Sequence, residues 1–483
     1  MTKENINLED TEKFLGPDLN DPSLTKIIND EPKVSFNGLS KEEIMRYADD
    51  PFWVKIRWFL FFLFWFVWVG MLASAVIIVV HSPKCPYKPK LKWWQNNVIY
   101  QLDVENFVDS DSNGQGDLDG LFQKLDYFDL FKIKSLCLKD NILKNNLKEL
   151  NENFGNFDQL KALKKELEKK DMYLIIDLPF DKMTENSETI VEFWLRLVDG
   201  VRVTGSEVTA DLLKKWIKIA DDIHSETFKY KLIAAVGKED EDHKDLEYLN
   251  LRHNFANLKT EDLKDINKFL MRLENMKDVN GYEINKYNNS RIKNTIDSKL
   301  INIYHSLVLL LKGSPVVLYG DELEMVGNEK RMKWNSSLNC GFSKKTNISV
   351  NNCKMSVKES SAKGSGETLL KTYVKLLKLR EEPSFKWGEL KINLNETLDV
   401  ISFVREAQGF NGYLVAANVH DNESKLVDFT VPHDIPVKAH VTHFFSSNPQ
   451  SYDEFKLDTE LDSTHIMLQP HELLILKFSR ANN

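Results

Sequence analysis

Cysteine is scarce in this chain, with four in 483 residues. That is too few to staple a small secreted fold, and no Cys-x-x-Cys or Cys/His cluster offers a zinc site. Proline (14) and glycine (20) are also sparse, which excludes collagen-like and low-complexity chains. Basic residues (64) are outnumbered by acidic ones (73), so a net charge of -9 makes the bulk surface a poor match for nucleic acid. What is plentiful is core material. With 42% hydrophobic and 28% charged residues, the chain is neither disordered overall nor a multi-span membrane protein. Its length fits about three domains, or fewer if one is a barrel.

Long uncharged runs are absent except for one, Trp58 to Val80, WFLFFLFWFVWVGMLASAVIIVV. Its 23 residues exceed what a ~30 Å hydrocarbon core requires at 1.5 Å per residue. It is apolar on every face, unlike the stripe of a soluble core helix. It starts too late and runs too long for a cleavable signal peptide, and it lacks a small-x-small cleavage site. The expectation is a retained signal anchor at 58–80. Basic residues are tied across it, with Lys41, Arg46, Lys55 and Arg57 before and Lys84, Lys88, Lys90 and Lys92 after. Lys55 and Arg57 abut the span, and large C-terminal domains translocate largely regardless of charge, so we expect type II topology with the N-terminus inside. The Asn-x-Ser/Thr sequons at Asn288, Asn335, Asn347, Asn395 and Asn422 all follow the span.

Residues 1–57 are polar and acidic and read as a cytoplasmic tail, with a short helix in KEEIMRYADD. Residues 81–92, HSPKCPYKPKLK, read as an extended stalk. From Trp93 to residue 388, apolar runs such as NVIYQLDV, SLCLK, MYLIIDL, GVRV, KLIAAV and SPVVLYG alternate with amphipathic stretches. The runs are nearly continuous, as in parallel strands covered on both faces, and repeated strand–helix units imply a (β/α)8 barrel. In residues 389–483 the runs ISFVRE, GYLVAANVH, KLVDFTV, THIMLQ and ELLILKF have no helix between them, which implies an antiparallel β-sandwich. The fold class is therefore α/β: one transmembrane helix, a barrel, then a sandwich.

WWQNNVIYQLDVENFVDSDSNGQGDLDGL, GSPVVLYGDELEM and RMKWNSSLNCGFS resemble the first-strand loop, the eighth-strand motif and the following segment of the α-amylase superfamily. The chemistry does not follow from the fold. Retaining glycosidases use two carboxyl groups roughly 5–5.5 Å apart, placed at the C-terminal ends of barrel strands. By this resemblance DGVRVTG keeps Arg202 but puts Thr204 at the nucleophile position, KLIAAVG puts Ala235 at the acid/base position, and KYNNSRI puts Asn288 at the third carboxylate. The Asn-His pair after the third strand is missing from IIDLPFDK. The opposing reading has Asp199, Glu207 or Glu239 acting instead.

An amylase-like ectodomain without its acids on a type II anchor resembles the heavy chains of heteromeric amino-acid transporters, of the 4F2 cell-surface antigen type. GLSKEEIMRYADDPFWVKIRWFLFFLFWFVWVGMLASAVIIVVHSPKC is similar to that group's juxtamembrane segment, span and stalk. The resemblance implies a non-catalytic subunit of the plasma membrane, joined by a stalk disulfide to a multi-span permease light chain. A single span cannot itself form a substrate pathway. Cys85 fits the disulfide, lying between Pro83 and Pro86 just beyond the span; a free or intrachain thiol is its alternative. Cys137 reads as a buried small hydrophobe, and Cys340 and Cys353 are close enough in sequence to pair locally.

No cofactor is required by this reading. Asp109, Asp111, Asn113, Gln115 and Asp117 nevertheless alternate through DSDSNGQGD, a set of hard oxygen donors suited to structural Ca2+. The alternative is a polar turn that caps the next helix through Asp117. Competing functions are a membrane-anchored α-glucosidase and an adhesion or receptor ectodomain.

Overall fold

The computed structural model describes residues 41–82, 88–95, 97–183, 186–205, 208–236, 250–252, 281–283, 299–325, 330–350, 352–362, 368–392, 400–446, 451–452 and 455–480. These form two compact units, 1–84 and 85–483. In the first, a short helix Lys41–Ala48 precedes a continuous 31-residue helix, Pro51–His81. Asp50 caps the long helix by accepting from Phe52 N at 2.9 Å, and Pro51 supplies a preset φ at its first turn. The Arg57 guanidinium reaches back to the carbonyls of Tyr47, Ala48 and Trp53. The helix extends past the uncharged run at its N-terminal side. At 1.5 Å per residue it is about 46 Å long, and none of its side chains is buried. Trp58, Phe61, Trp65 and Trp68 stack edge-on along it, and Gly70 has open space beside it.

The second unit is built on a parallel eight-stranded sheet: β1 (Ile99–Leu102), β2 (Ser135–Leu138), β3 (Tyr173–Pro179), β4 (Gly200–Thr204), β5 (Leu232–Val236), β6 (Asn250–Arg252), β7 (Gly281–Glu283) and β8 (Pro315–Leu318). The spatial order β5-β4-β3-β2-β1-β8-β7-β6, with β5 beside β6, is that of an amylase-type barrel. Residues alternate between two apolar environments. Leu136, Leu138, Leu174, Ile176, Val201 and Val203 face the outer helices, whereas Ile99, Cys137, Ile175, Leu232, Ala234 and Val316 face inward and pack with Trp94. Both faces are dry, which is why the strands read as continuous apolar runs. The helix Phe157–Lys169 shows the complementary pattern. It begins in a capping box of Asn156 and Gln159 and buries Leu160, Leu163 and Leu167.

Beyond β8 an antiparallel sheet takes the order β14-β13-β16-β11-β10-β9. It comprises β9 (Glu389–Lys391), β10 (Ile401–Glu406), β11 (Gly412–Asn418), β13 (Lys438–Ser446), β14 (Glu460–Asp462) and β16 (Glu472–Phe478), with a two-stranded β12 (Lys425–Val427)–β15 (Ile466–Leu468) partner. One face, through Ile401, Phe403, Val415 and Ile475, joins the barrel's outer core. The other, through Val404, Leu414, Leu474 and Leu476, packs with Val427, Ile466 and Leu468.

Two buried arginines brace this region: Arg405 of β10 fastens the sheet to the barrel, and Arg380, at the end of the helix Leu369–Leu379, ties that helix to the segment before β8. Arg405 donates to the carbonyls of Leu310 (3.1 Å), Phe385 (2.8 Å) and Gly388 (3.1 Å). Arg380 donates to those of Leu309, Leu311 and Gly313. Three of these six carbonyls, those of Leu309, Leu310 and Leu311, end the helix Ile301–Leu310, where no intrahelical donor remains. Arg405→Leu strands three buried acceptors, so we expect a loss of about 3 kcal/mol or more in denaturant unfolding. Arg196→Leu, which removes surface pairs to Glu192 and Glu226, should leave the midpoint unchanged.

Candidate functional site

In barrels of this kind chemistry belongs to the C-terminal ends of the strands. There the described residues hold a dry ion pair. Asp177 of β3 accepts from Arg202 of β4 in bidentate fashion, Nε to Oδ1 and Nη2 to Oδ2, both at 2.6 Å. Gln101 of β1 donates to Oδ2 at 2.8 Å, and the Cys137 thiol of β2 to Oδ1 at 3.0 Å. Asp177 and Arg202 are each 4% exposed. Three strands, β1, β2 and β4, thus each deliver one donor side chain to a single carboxylate on β3. Cys137, expected as an apolar filler, is buried but also a donor.

Thr204 ends β4 two residues after Arg202 and is half-buried. Ala235 lies in β5 in register with Val203. Asn288, Glu207 and Glu239 lie outside the described residues. Asp199 corrects one expectation. It precedes β4, exchanges hydrogen bonds with the Leu174 backbone, and faces Lys164 at 3.3 Å and Lys231 at 4.0 Å. It therefore sits at the N-terminal end of the barrel, a strand's length from Thr204, and cannot serve as a displaced catalytic carboxylate. Burial, reinforced by the Lys164 charge and opposed by Asp199, lowers Lys231 to about 8.

At the loop ends Lys182 pairs with Asp140 at 3.2 Å, and Asp103 accepts from Asn141 (2.6 Å) and Asn106 (2.8 Å). After β8, Glu322 is 2% exposed and accepts from Tyr100 (2.7 Å) and Tyr127 (2.6 Å). Burial pushes its carboxyl pKa up against the pull of both hydroxyls. Sequence reading singled out neither Asp177 nor Glu322. For Asp177 the signal was present as a lone acid within the apolar run IIDLP, whereas Glu322 stands among the acids Asp321 and Glu324 in GDELEM.

Three of the five residues of the acidic loop bring their carboxylates together. Asp109, Asp111 and Asp117 each bring a carboxylate oxygen within 4.8 Å of the others. Asp109 accepts from Ser112 N (2.7 Å), Gly114 N (2.8 Å) and the Ser343 hydroxyl (2.5 Å). Burial raises its pKa, but these bonds and a hydrogen bond with the Asp111 side chain outweigh it and leave the carboxyl lowered. Asp117 caps the helix Leu118–Gln123 through Gly120 N at 2.7 Å, as the alternative reading required, and also holds Ser110. Asn113 Oδ1 accepts from Gln115 N at 2.7 Å. Gly116 allows the turn, because a Cβ there would lie 2.1 Å from the Val104 carbonyl oxygen.

Cys340 and Cys353 form a disulfide, with Cα atoms 5.1 Å apart. Cys85 lies outside the described residues, as do Asn395 and its sequon. Asn347 and Asn422 are exposed, whereas Asn335 is half-buried and accepts from Ser337 N at 2.9 Å.

Comparison with known proteins places this architecture. The model of the family described as "Solute carrier family 3 member 2 N-terminus" matches residues 25–100, and that of "Alpha amylase, catalytic domain" matches residues 101–195. The chain is 30% identical to the Amino acid transporter heavy chain SLC3A2 of Mus musculus, over 94% of this chain and 91% of the mouse protein. It belongs to the amino acid transporter heavy chain family. The Oryctolagus cuniculus heavy chain SLC3A2 is 28% identical over 94% of this chain and 90% of its own length. Among solved structures, Bacillus licheniformis trehalose-6-phosphate hydrolase superposes with a TM-score of 0.63 at 14% identity, covering 81% of this heavy chain and 100% of the hydrolase, a likeness of fold alone.

For this heavy chain, Asp177→Ala removes the bidentate carboxylate from the buried Arg202 guanidinium, and a loss of about 3–5 kcal/mol in equilibrium unfolding is expected. Replacing both partners by leucine should recover most of that loss. Equal destabilisation by the single and double variants would contradict the pairing.

Proposed function

We propose that this chain is the non-catalytic heavy subunit of a heteromeric amino-acid transporter. It is disulfide-linked through Cys85 to a multi-span permease that it brings to, and stabilises in, the plasma membrane. The observation that carries this reading is heavy-chain relatedness over 94% of the chain together with a single helix long enough to span a membrane. One helix cannot enclose a solute path, so the transported amino acid must cross through a partner. The orientation is type II, with residues 1–57 inside. The stalk then stands in an oxidising compartment, where a Cys85 disulfide persists, and the exposed sequons Asn347 and Asn422 are accessible for glycosylation.

The barrel serves as scaffold rather than catalyst. With Thr204, Ala235 and Asn288 at the family's acid positions, the carboxylates that would stabilise an oxocarbenium ion and protonate a leaving group are replaced there. Asp199, turned toward Lys164 and Lys231, does not replace them.

The test is electrophoresis of membranes from cells expressing the chain, with thiols blocked at lysis. We expect a reductant-sensitive band, larger by the mass of a permease, that vanishes in Cys85→Ser. A monomer in both lanes would contradict the covalent link, and hydrolysis of a chromogenic α-glucoside by the purified chain would contradict the scaffold role.

The loop donors fit a calcium ion, since Asp109, Asp111 and Asp117 each bring a hard carboxylate oxygen within 4.8 Å of the others. We propose that Asp109, Asp111, Asn113, Gln115 and Asp117 hold structural Ca2+. Calcium at a hundredfold over its dissociation constant should raise the melting temperature by about 3–6 °C over chelator-treated protein. Asp111→Asn should abolish the rise. An unchanged melting temperature in the wild type would leave the loop as a helix-capping turn.

A further inference from the structure

The disulfide and the acidic loop lie more than two hundred residues apart in sequence but form one hydrogen-bonded unit. Asp109 N donates to Phe342 O at 3.0 Å, and Ser343, 4% exposed, donates its hydroxyl to Asp109 Oδ2. Lys345 donates its ammonium to Asn113 O. Asn339 Nδ2 holds the covering segment in shape through the carbonyls of Ser343 (3.1 Å) and Lys345 (2.6 Å). The backbone that enters this segment is strained. Asn339, Cys340 and Gly341 have φ of 51°, 54° and 75°, three successive residues in the left-handed region, two of which carry a Cβ. The two sulfurs are not equivalent, because Cys340 is 0% exposed whereas Cys353 is half-exposed.

We propose that Cys340–Cys353 is a redox latch that clamps the loop after β1. A dithiol reductant reaches the exposed side. Its thiolate attacks Cys353 Sγ, and the Cys340 sulfur leaves and takes up a proton. The second thiol of the reagent then closes on the mixed disulfide, releasing Cys353 as a thiol and the reagent as a cyclic disulfide, a transfer of two electrons and two protons. Without the crosslink, residues 339–341 relax toward ordinary φ, Phe342 and Ser343 withdraw from Asp109, and the loop 105–117 loses its outer wall. The latch depends on protein contacts alone, so it operates whether or not a cation occupies the loop.

Hydrogen exchange of the purified full chain, followed by mass spectrometry, tests this. In the oxidised protein, peptides covering 105–117 should exchange slowly. After dithiothreitol has added two mass units to the 340–353 pair, or in Cys353→Ser without reductant, they should exchange at least tenfold faster, while β11 peptides (412–418) are unchanged. Ser343→Ala, with the disulfide intact, should accelerate the same peptides by roughly threefold. Unchanged exchange at 105–117 after confirmed reduction would overturn the latch. So would equal acceleration of 105–117 and β11, which would make the bond a global staple.

Discussion

The barrel depends on a pair of charges taken fully out of water. Asp177 and Arg202 meet at 2.6 Å in a setting where an unpartnered ion would cost several kcal/mol. The structure meets that cost by converging Gln101 and Cys137 on the same carboxylate, so that β1 to β4 are pinned at one level. An apolar substitute could hold the strands as tightly, but the ion pair also fixes which residues stand side by side. That constraint keeps an amylase-type barrel intact with threonine at the end of β4. Stability here resides in this buried pair, and in Arg380 and Arg405 where the barrel meets the C-terminal sheet.

The same separation explains what the chain can be within its family. A heavy chain needs a durable ectodomain and one hydrophobic helix, and neither requires a reacting group. Arg380 and Arg405 gather six carbonyls between them at the junction of barrel and sheet, a rigid connection that suits a scaffold. The long helix Pro51–His81, apolar and capped by Asp50, suits an anchor and a lateral contact, not a pathway.

Much of this was legible in the sequence because burial on both faces leaves an unmistakable trace. MYLIIDL and GVRV are continuous because the barrel is dry inside and out, and ELLILKF is continuous because its sheet is covered on both sides. What stayed hidden depended on direction and distance. Asp199 and Thr204 are neighbours in sequence, yet a five-residue strand at about 3.3 Å per residue carries them to opposite ends of the barrel. Asp177 is a lone acid in an apolar run and Glu322 one of three acids in GDELEM, and in both cases the partners come from strands and helices far along the chain. Whether Cys340 pairs with Cys353 is a matter of a Cα separation that residue spacing cannot supply. Three of the five oxygen donors read from the acidic loop, Asp109, Asp111 and Asp117, lie close together, and the alternative role of Asp117 as a helix cap is present too.

The account stands on the claim that this chain places a permease at the cell surface and does not carry solute itself. The most direct measurement is amino-acid uptake, paired with surface biotinylation, in cells expressing the permease with or without this heavy chain. The account predicts that the heavy chain multiplies uptake and surface permease together, leaving uptake per surface permease unchanged, and that alone it adds no uptake. Uptake supported by the heavy chain in cells lacking any permease partner would contradict it, as would undiminished surface permease in its absence.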